Sequence, residues 1–90
     1  VYGVYNNGGS TASILRSTFN VSATNAGTAY GIYNINSSTA NITNSTFNVT
    51  SESGDAYGSY NDSTSTININ DSIFNVTSSG SGHAYGFWDL

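Results

Sequence analysis

The most constraining feature of this sequence is an internal repeat that opens with a Tyr-Gly pair. Written in lines that begin one residue before that pair, the chain divides into residues 1–28, 29–55 and 56–83, and residues 84–90 open a fourth line. The tyrosine of the pair precedes the phenylalanine of a Phe-Asn-Val motif by 17 residues in every complete line, whereas 10 or 11 residues separate that phenylalanine from the next tyrosine. A fixed unit followed by a variable polar loop is typical of a structural repeat, here within one domain of residues 1–90.

Within each repeat, apolar and polar residues alternate with a period of two, as in Ala40-Asn41-Ile42 and Phe47-Asn48-Val49. This period predicts half-buried strands. Ser, Thr, Asn and Gly supply 50 of the 90 residues, and their poor helix propensity gives no support to helices. We expect three short strands per repeat, which in the second repeat are AYGIYN, about STANIT, and STFNVT, with Asn44-Ser45 at the corner between the last two.

A strand-only repeat of about 28 residues cannot bury its apolar face alone, but stacked neighbours can. The sequence therefore predicts an all-β fold, a parallel β-solenoid of about 3.25 coils. Equivalent residues of successive coils would lie about 4.8 Å apart. An antiparallel sandwich or barrel is less favoured because it gives no reason for identical spacing in every repeat. A transmembrane barrel is disfavoured further, since no broad apolar face is available for lipid.

Stacking of the repeats predicts four core columns and one ladder of side-chain amides. The core columns are Tyr2, Tyr30, Tyr57 and Tyr85; Ile14, Ile42 and Ile69; Phe19, Phe47 and Phe74; and Val21, Val49 and Val76. Beside the tyrosines, Val4, Ile32 and Phe87 share a column in which Ser59 is a misfit. The amide ladder is expected at a corner and comprises Asn6, Asn34 and Asn61, with Asp89 next in line.

The units AYGIYN…STFNVT and AYGSYN…SIFNVT resemble the repeats of right-handed parallel β-helix (pectin-lyase-like) proteins of microbial surfaces. Autotransporter passengers, polymorphic outer-membrane proteins and large secreted adhesins are examples of that group. The resemblance covers the whole chain through its period and column chemistry. It implies a right-handed, three-faced coil, an extracellular or cell-surface location, and a role as stalk or adhesin. Some proteins of that fold are polysaccharide lyases or hydrolases, but this chain cannot assemble the clustered acids and basic residue that such enzymes need.

The charge and cysteine content exclude several classes of partner. The net charge is −4 and Arg16 is the sole cation, so neither nucleic acid nor an anionic membrane is expected to bind. The absence of cysteine leaves no disulfide framework and no thiolate metal site. No apolar run approaches the roughly 20 residues that a membrane-spanning helix requires.

The ionisable residues are too dispersed to suggest catalysis. General acid–base or glycosidic chemistry needs two groups that converge on one bond. The acids are scattered over different loops and coils, and His83 stands in a Ser/Gly loop, so we expect no enzyme and no cofactor. The segment SESGD and the pair Asn61-Asp62 carry oxygen ligands of the type that calcium prefers. Neither has the repeated Asp spacing of calcium-binding solenoid turns, so polar turns without a metal are favoured.

The N-x-S/T sequon for N-glycosylation is frequent in this chain. The candidate acceptors are Asn20, Asn36, Asn41, Asn44, Asn48, Asn61, Asn70 and Asn75. Asn20, Asn48 and Asn75 share one outward column, where glycans one strand spacing apart would be crowded. The corner sequons at Asn36 and Asn61 are expected to have more room.

These features predict a non-catalytic structural module that stacks into a filament, stalk or surface fibre. Its expected partners are further copies joined head to tail or neighbouring repeats of a longer chain, because uncapped strand edges pair with other strands. The alternative is an adhesin or glycan-binding surface that uses Tyr5, Tyr33, Tyr60 and Trp88 together with the outward Asn/Thr columns. Ice binding by a flat threonine face is the third hypothesis, and it is disfavoured because Ile73 interrupts the column of Thr18 and Thr46.

Overall fold

The computed structural model describes residues 1–90 and contains ten β-strands. No helix long and apolar enough to cross a bilayer is present. The strands are β1 (Tyr2–Asn6), β2 (Thr11–Leu15), β3 (Thr18–Ala23), β4 (Ala29–Asn34), β5 (Thr39–Thr43), β6 (Thr46–Ser51), β7 (Ala56–Asn61), β8 (Thr66–Asn70), β9 (Ile73–Ser78) and β10 (Ala84–Asp89).

The ten strands form three parallel sheets, each contributing one side of the coil. Sheet 1 has the order β1-β4-β7-β10, sheet 2 the order β2-β5-β8, and sheet 3 the order β3-β6-β9. Equivalent residues pair in register, for example Ile14 with Ile42 and Phe19 with Phe47. The prediction of an all-β parallel solenoid of about three coils, with three strands in each, is therefore confirmed. Parallel pairing throughout excludes the antiparallel sandwich.

The hydrophobic core lies inside the coil, where side chains from the three sheets meet. In the second coil Ile32, Ile42, Phe47 and Val49 are completely buried. The ring of Phe47 stacks between Phe19 and Phe74, with centroid distances of 4.7 and 4.8 Å and interplanar angles of 3°. The phenylalanine, isoleucine and valine columns all lie in this core, and their members in the third coil are half-buried because fewer strands cover them.

The tyrosine column is not part of the core, and its assignment there was wrong. Tyr2 is 48% exposed, and Tyr30 is only half-buried on the outer surface of sheet 1. The cause is a local departure from strict alternation, because Gly31 and Ile32 are both buried while Tyr30 and Tyr33 on either side of them are not. A Cβ atom at Gly31 would collide with the Gly58 carbonyl oxygen and approach a Val49 methyl to 2.9 Å, so glycine is required where the backbone comes so close to the core.

Residues in the left-handed backbone region form the corners of the coil. Between sheets 2 and 3, Arg16, Asn44 and Asp71 have φ values of 47°, 50° and 51°. Asn and Asp adopt this conformation more readily than other non-glycine residues. Between sheets 1 and 2, two successive residues with positive φ turn the chain: Gly8 and Gly9 in the first coil, Asn36 and Ser37 in the second. Asp71 therefore stands at a corner where the backbone requires a positive φ.

Candidate functional site

The buried asparagine ladder runs along the corner at the end of sheet 1. The Nδ2 atom of Asn6 donates to Oδ1 of Asn34 at 2.8 Å, and Nδ2 of Asn34 donates to Oδ1 of Asn61 at 2.7 Å. Nδ2 of Asn61 donates to Oδ1 of Asp89 at 2.9 Å. Nδ2 of Asn34 also donates to the Thr66 carbonyl oxygen at the start of β8, in sheet 2 of the following coil, at 2.9 Å. Each buried amide thus ties two coils together and fixes the turn between sheets 1 and 2.

Two columns of serine hydroxyls reinforce the corner between sheets 1 and 2 and the corner between sheets 2 and 3, and sequence reasoning did not identify them. Oγ of Ser38 accepts from the Ser10 backbone N–H, and Oγ of Ser65 accepts from that of Ser38 at 3.1 Å. The second column contains Ser17, Ser45 and Ser72, with the Ser45 N–H donating to Oγ of Ser72 at 3.1 Å. The signal was present as serines in register, but the large number of serines in the chain concealed it.

A separate asparagine ladder covers the outside of sheet 3. Nδ2 of Asn75 donates to Oδ1 of Asn48 at 2.8 Å, and Nδ2 of Asn48 donates to Oδ1 of Asn20 at 2.9 Å. On sheet 2, Nδ2 of Asn68 donates to Oδ1 of Asn41 at 2.9 Å. These outward amides donate toward the N-terminal coil, whereas the buried ladder donates toward the C-terminal coil. Both ladders repeat the same bond from coil to coil.

The eight sequon asparagines have unequal surroundings. Asn61 is 95% buried in the amide ladder, so the expectation that its side chain has room for a glycan was wrong. Asn48 and Asn75 donate through the nitrogen that a glycan would occupy, and Asn36 does the same toward Oδ1 of Asn7 at 2.7 Å. Four acceptors remain whose Nδ2 makes no protein hydrogen bond, and these are Asn20, Asn41, Asn44 and Asn70.

The outer surface of sheet 1 carries all seven tyrosines and the single tryptophan, and we call it the aromatic face. One column contains Tyr2, Tyr30, Tyr57 and Tyr85, and the other contains Tyr5, Tyr33, Tyr60 and Trp88. Within the first column neighbouring rings lie 4.9 to 5.2 Å apart and within 16° of parallel. Rings of different columns meet edge to face, as for Tyr30 and Tyr33 at 4.8 Å and 69°. The two columns form one continuous aromatic surface.

Stacking determines which parts of these rings a ligand can reach. Because neighbouring tyrosines are nearly parallel, each ring face inside a column is covered by the next ring. Ring edges and phenol oxygens remain for contact, while free ring faces are limited to the column ends. Trp88 at one end is 38% exposed. Sugar binding by ring-face contact is therefore restricted to an end of the aromatic face.

Carboxylate, phenol and imidazole groups come together beside the aromatic face at Asp55. Oδ1 of Asp55 accepts from the His83 backbone N–H at 2.8 Å and lies 3.5 Å from His83 Nδ1. Oδ2 accepts from the Tyr57 hydroxyl at 3.4 Å. The backbone N–H of His83 lowers the pKa of Asp55. Burial, with the neighbouring Asp55 charge, raises the pKa of Tyr57 to about 12. Sequence reasoning had left His83 without a partner, because Asp55 stands one coil away.

Other carboxylates bind backbone groups of the preceding coil. Oδ2 of Asp62 accepts from the Asn36 N–H at 2.7 Å, and this bond lowers the pKa of Asp62 to about 2. Oε2 of Glu52 accepts from the Asn25 N–H at 2.6 Å. No three His, Cys, Asp or Glu side chains lie close enough to hold one metal ion. SESGD and Asn61-Asp62, the segments with calcium-type ligands, thus use their carboxylates to join coils.

A shallow cleft lies at the end of sheet 3, beside the loops that lead to sheet 1. It is lined by Ser22, Ala23, Thr24, Thr50, Ser51, Glu52 and Ser79. Hydroxyl groups dominate its wall, and the Glu52 carboxylate is its sole charge. The cleft offers hydrogen-bonding groups without an aromatic platform.

Comparisons of the chain with protein-family models, with curated proteins and with solved structures give no match. The class defined by the fold is the parallel β-solenoid.

Proposed function

We propose that this chain is a non-catalytic structural repeat module of an extracellular filament, stalk or surface fibre. The observation that supports it is the continuity of the strand pairing and of the amide ladders from coil to coil. Backbone pairing, the buried amide ladder and the outward amide ladder repeat with the same partners in each coil. In a solenoid each repeat contacts only its neighbours and is stabilised by them. Coils can therefore be stacked one after another into an elongated body. The proposal includes a right-handed coil, the hand that parallel β crossovers adopt in nearly all proteins.

The strand edges at the two ends support stacking. β8, β9 and β10 each pair on one side only, and Phe87 of β10 is 59% exposed. Sheet 1 has four strands, whereas sheets 2 and 3 have three each. The next two strands of a continued coil would therefore pair with β8 and β9. A neighbouring repeat that supplies strands equivalent to β2 and β3 fills these positions in phase.

Duplication of one coil tests the proposal. A second copy of residues 29–55 inserted after Asp55 should raise the free energy of unfolding and lengthen the particle by about 4.8 Å. The matched control carries the same insert with lysine in place of its phenylalanine, which should remove the gain in stability. Electron microscopy of the native material should then show filaments or elongated stalks. A duplicated coil that adds no stability, together with separate compact native particles, would contradict the proposal.

An adhesin function is the second candidate, and the observation that favours it is the exposed Trp88 at the end of the aromatic face. Tyr85 lies edge to face with it at 4.9 Å, which gives a partly apolar platform beside polar loops. A glycan array tests this function: binding that disappears in Trp88→Ala and persists in Tyr33→Phe would support it.

Covalent glycans on the module itself would be attached at Asn44 and Asn70, which are exposed and whose amides make no protein hydrogen bond.

A further inference from the structure

The aromatic face holds most of the side chains of this protein that one-electron oxidants attack. The chain contains no cysteine and no methionine, while all seven tyrosines and Trp88 lie together on sheet 1. Thiols and thioethers are the usual targets of protein oxidation, and their absence leaves the phenols and the indole as the readily oxidised groups. Oxidation of this protein is thereby directed to one surface.

Among these tyrosines, Tyr57 has a proton acceptor of its own. Its hydroxyl donates to Oδ2 of Asp55 at 3.4 Å, and His83 Nδ1 lies 3.5 Å from the other oxygen of that carboxylate. A phenol releases its proton when it loses an electron, so a carboxylate within hydrogen-bonding reach assists the oxidation. The hydroxyl of Tyr5, in contrast, accepts a hydrogen bond from Nδ2 of Asn7 at 3.3 Å and has no carboxylate acceptor.

Tyr57 also stands between two phenol rings of adjacent coils. Its ring centroid is 5.0 Å from that of Tyr30 and 4.9 Å from that of Tyr85, with interplanar angles of 9° and 16°. A carbon–carbon bond between ortho positions requires the two rings to twist out of parallel. The broad χ2 torsion of tyrosine permits this twist for half-buried side chains at the surface.

We infer that Tyr57 is an oxidative cross-linking site, which forms dityrosine with Tyr30 or Tyr85 and so joins neighbouring coils covalently. The oxidant is a peroxide used by a one-electron, peroxidase-type catalyst. Each of two phenols gives up one electron and its hydroxyl proton; for Tyr57 the proton passes first to Asp55. The two phenoxyl radicals couple at ortho carbons, and the ring hydrogens at those carbons move to the phenol oxygens. The protein loses two hydrogen atoms per cross-link, and one peroxide is reduced to two molecules of water.

Such a bond would stabilise a solenoid without cysteine in the way that disulfides stabilise extracellular proteins. It closes a loop of one coil and restricts the unfolded chain, which raises the stability of the folded state. The inference does not depend on the number of coils or on the filament proposal, because Tyr30, Tyr57 and Tyr85 all lie within the ten strands of this chain.

Peroxidase and hydrogen peroxide applied to the dilute folded protein test the inference, with dityrosine fluorescence and peptide mapping as readouts. We expect intramolecular cross-links at Tyr57. Tyr57→Phe, which keeps the ring, should abolish them, and Asp55→Asn, which removes the proton acceptor, should lower their yield. Tyr60→Phe, on the same strand in the other column, should leave them unchanged.

The chain in denaturant provides the reference for random pairing, and circular dichroism establishes that each variant is folded. Cross-links distributed over all tyrosines as in the denatured chain would overturn the inference. So would a yield that is the same in Tyr57→Phe and in the parent protein, or products that are intermolecular only.

Discussion

Removal of the Phe47 ring provides the sharpest test of the column packing. Phe47 is completely buried in the middle coil and stacks on Phe19 and Phe74 at 4.7 and 4.8 Å. We expect Phe47→Ala to cost about 3–5 kcal/mol through lost burial and the cavity that remains. Each aromatic pair is worth about 0.5–1.5 kcal/mol beyond burial, and the substitution removes two such pairs, which places the expected cost near the upper end of that range.

That cost must be compared with the total stability of the chain. At roughly 0.05–0.15 kcal/mol per residue, a domain of 90 residues is stable by about 5–13 kcal/mol. The substitution would therefore remove a large part of the folding free energy. Urea denaturation followed by far-ultraviolet circular dichroism measures the change, and an unchanged dependence on urea concentration would show that the folded state stays equally compact.

Two control variants distinguish the effect of losing a buried core ring from the effect of losing any aromatic ring. Phe19→Ala, at a half-buried position of the first coil, should cost less because only one stacked neighbour is lost. Tyr33→Ala removes a ring from the outer surface and should also cost less than Phe47→Ala. A cost below about 1 kcal/mol for Phe47→Ala would refute the reasoning, since removal of a buried ring leaves a cavity that destabilises the fold by more than this.

Four further predictions concern the corners, the amide ladders and the ionisable groups. Arg16→Asn should stabilise the fold by up to about 1 kcal/mol in thermal or urea unfolding, because φ at this corner is 47° and asparagine tolerates the left-handed region. Asn34→Ala should cost about 1–3 kcal/mol, since it leaves buried partners unsatisfied, whereas Asn48→Ala on the surface should change stability by less than about 0.5 kcal/mol. In pH titrations of stability, the contribution of Asp62 should be complete above its ordinary pKa of 3.8 and lost as the pH falls through about 2, and Asp62→Asn should remove this loss. The contribution of Tyr57 should be complete below pH 10 and lost as the pH rises through about 12, and Tyr57→Phe should remove that loss.

The fold was predictable because the repeat fixes register. Once Phe19, Phe47 and Phe74 recur with the same neighbours, parallel stacking is the arrangement that buries all three rings together. The buried amide ladder followed from the same logic, since an asparagine in every coil can bond to its equivalents. Period and residue type were sufficient for these features.

The outer surface was less predictable, because it depends on which way each side chain points. Strict alternation would put Tyr30 and Ile32 on one side of the strand, yet Gly31 and Ile32 are both buried and Tyr30 faces outward. The sequence shows Tyr-Gly as a pair but not the close backbone approach that requires the glycine. The pairing of Asp55 with His83 was missed for a related reason. Asp55 and His83 each directly precede an Ala-Tyr-Gly segment, so the repeat places them in adjacent coils, but it does not show which way their side chains point.

The exchange of Ser59 and Ile67 indicates that the core is constrained within each coil as well as along each column. Ser59 occupies the position of Ile32 in sheet 1, and Ile67 occupies the position of Ala40 in sheet 2. One inward position of the third coil thus loses apolar volume while another gains it. Protein interiors are close-packed and tolerate substitutions best when the total volume is kept. A column can therefore accept a misfit when another side of the same coil offsets it, and this explains a serine in a column that otherwise contains valine, isoleucine and phenylalanine.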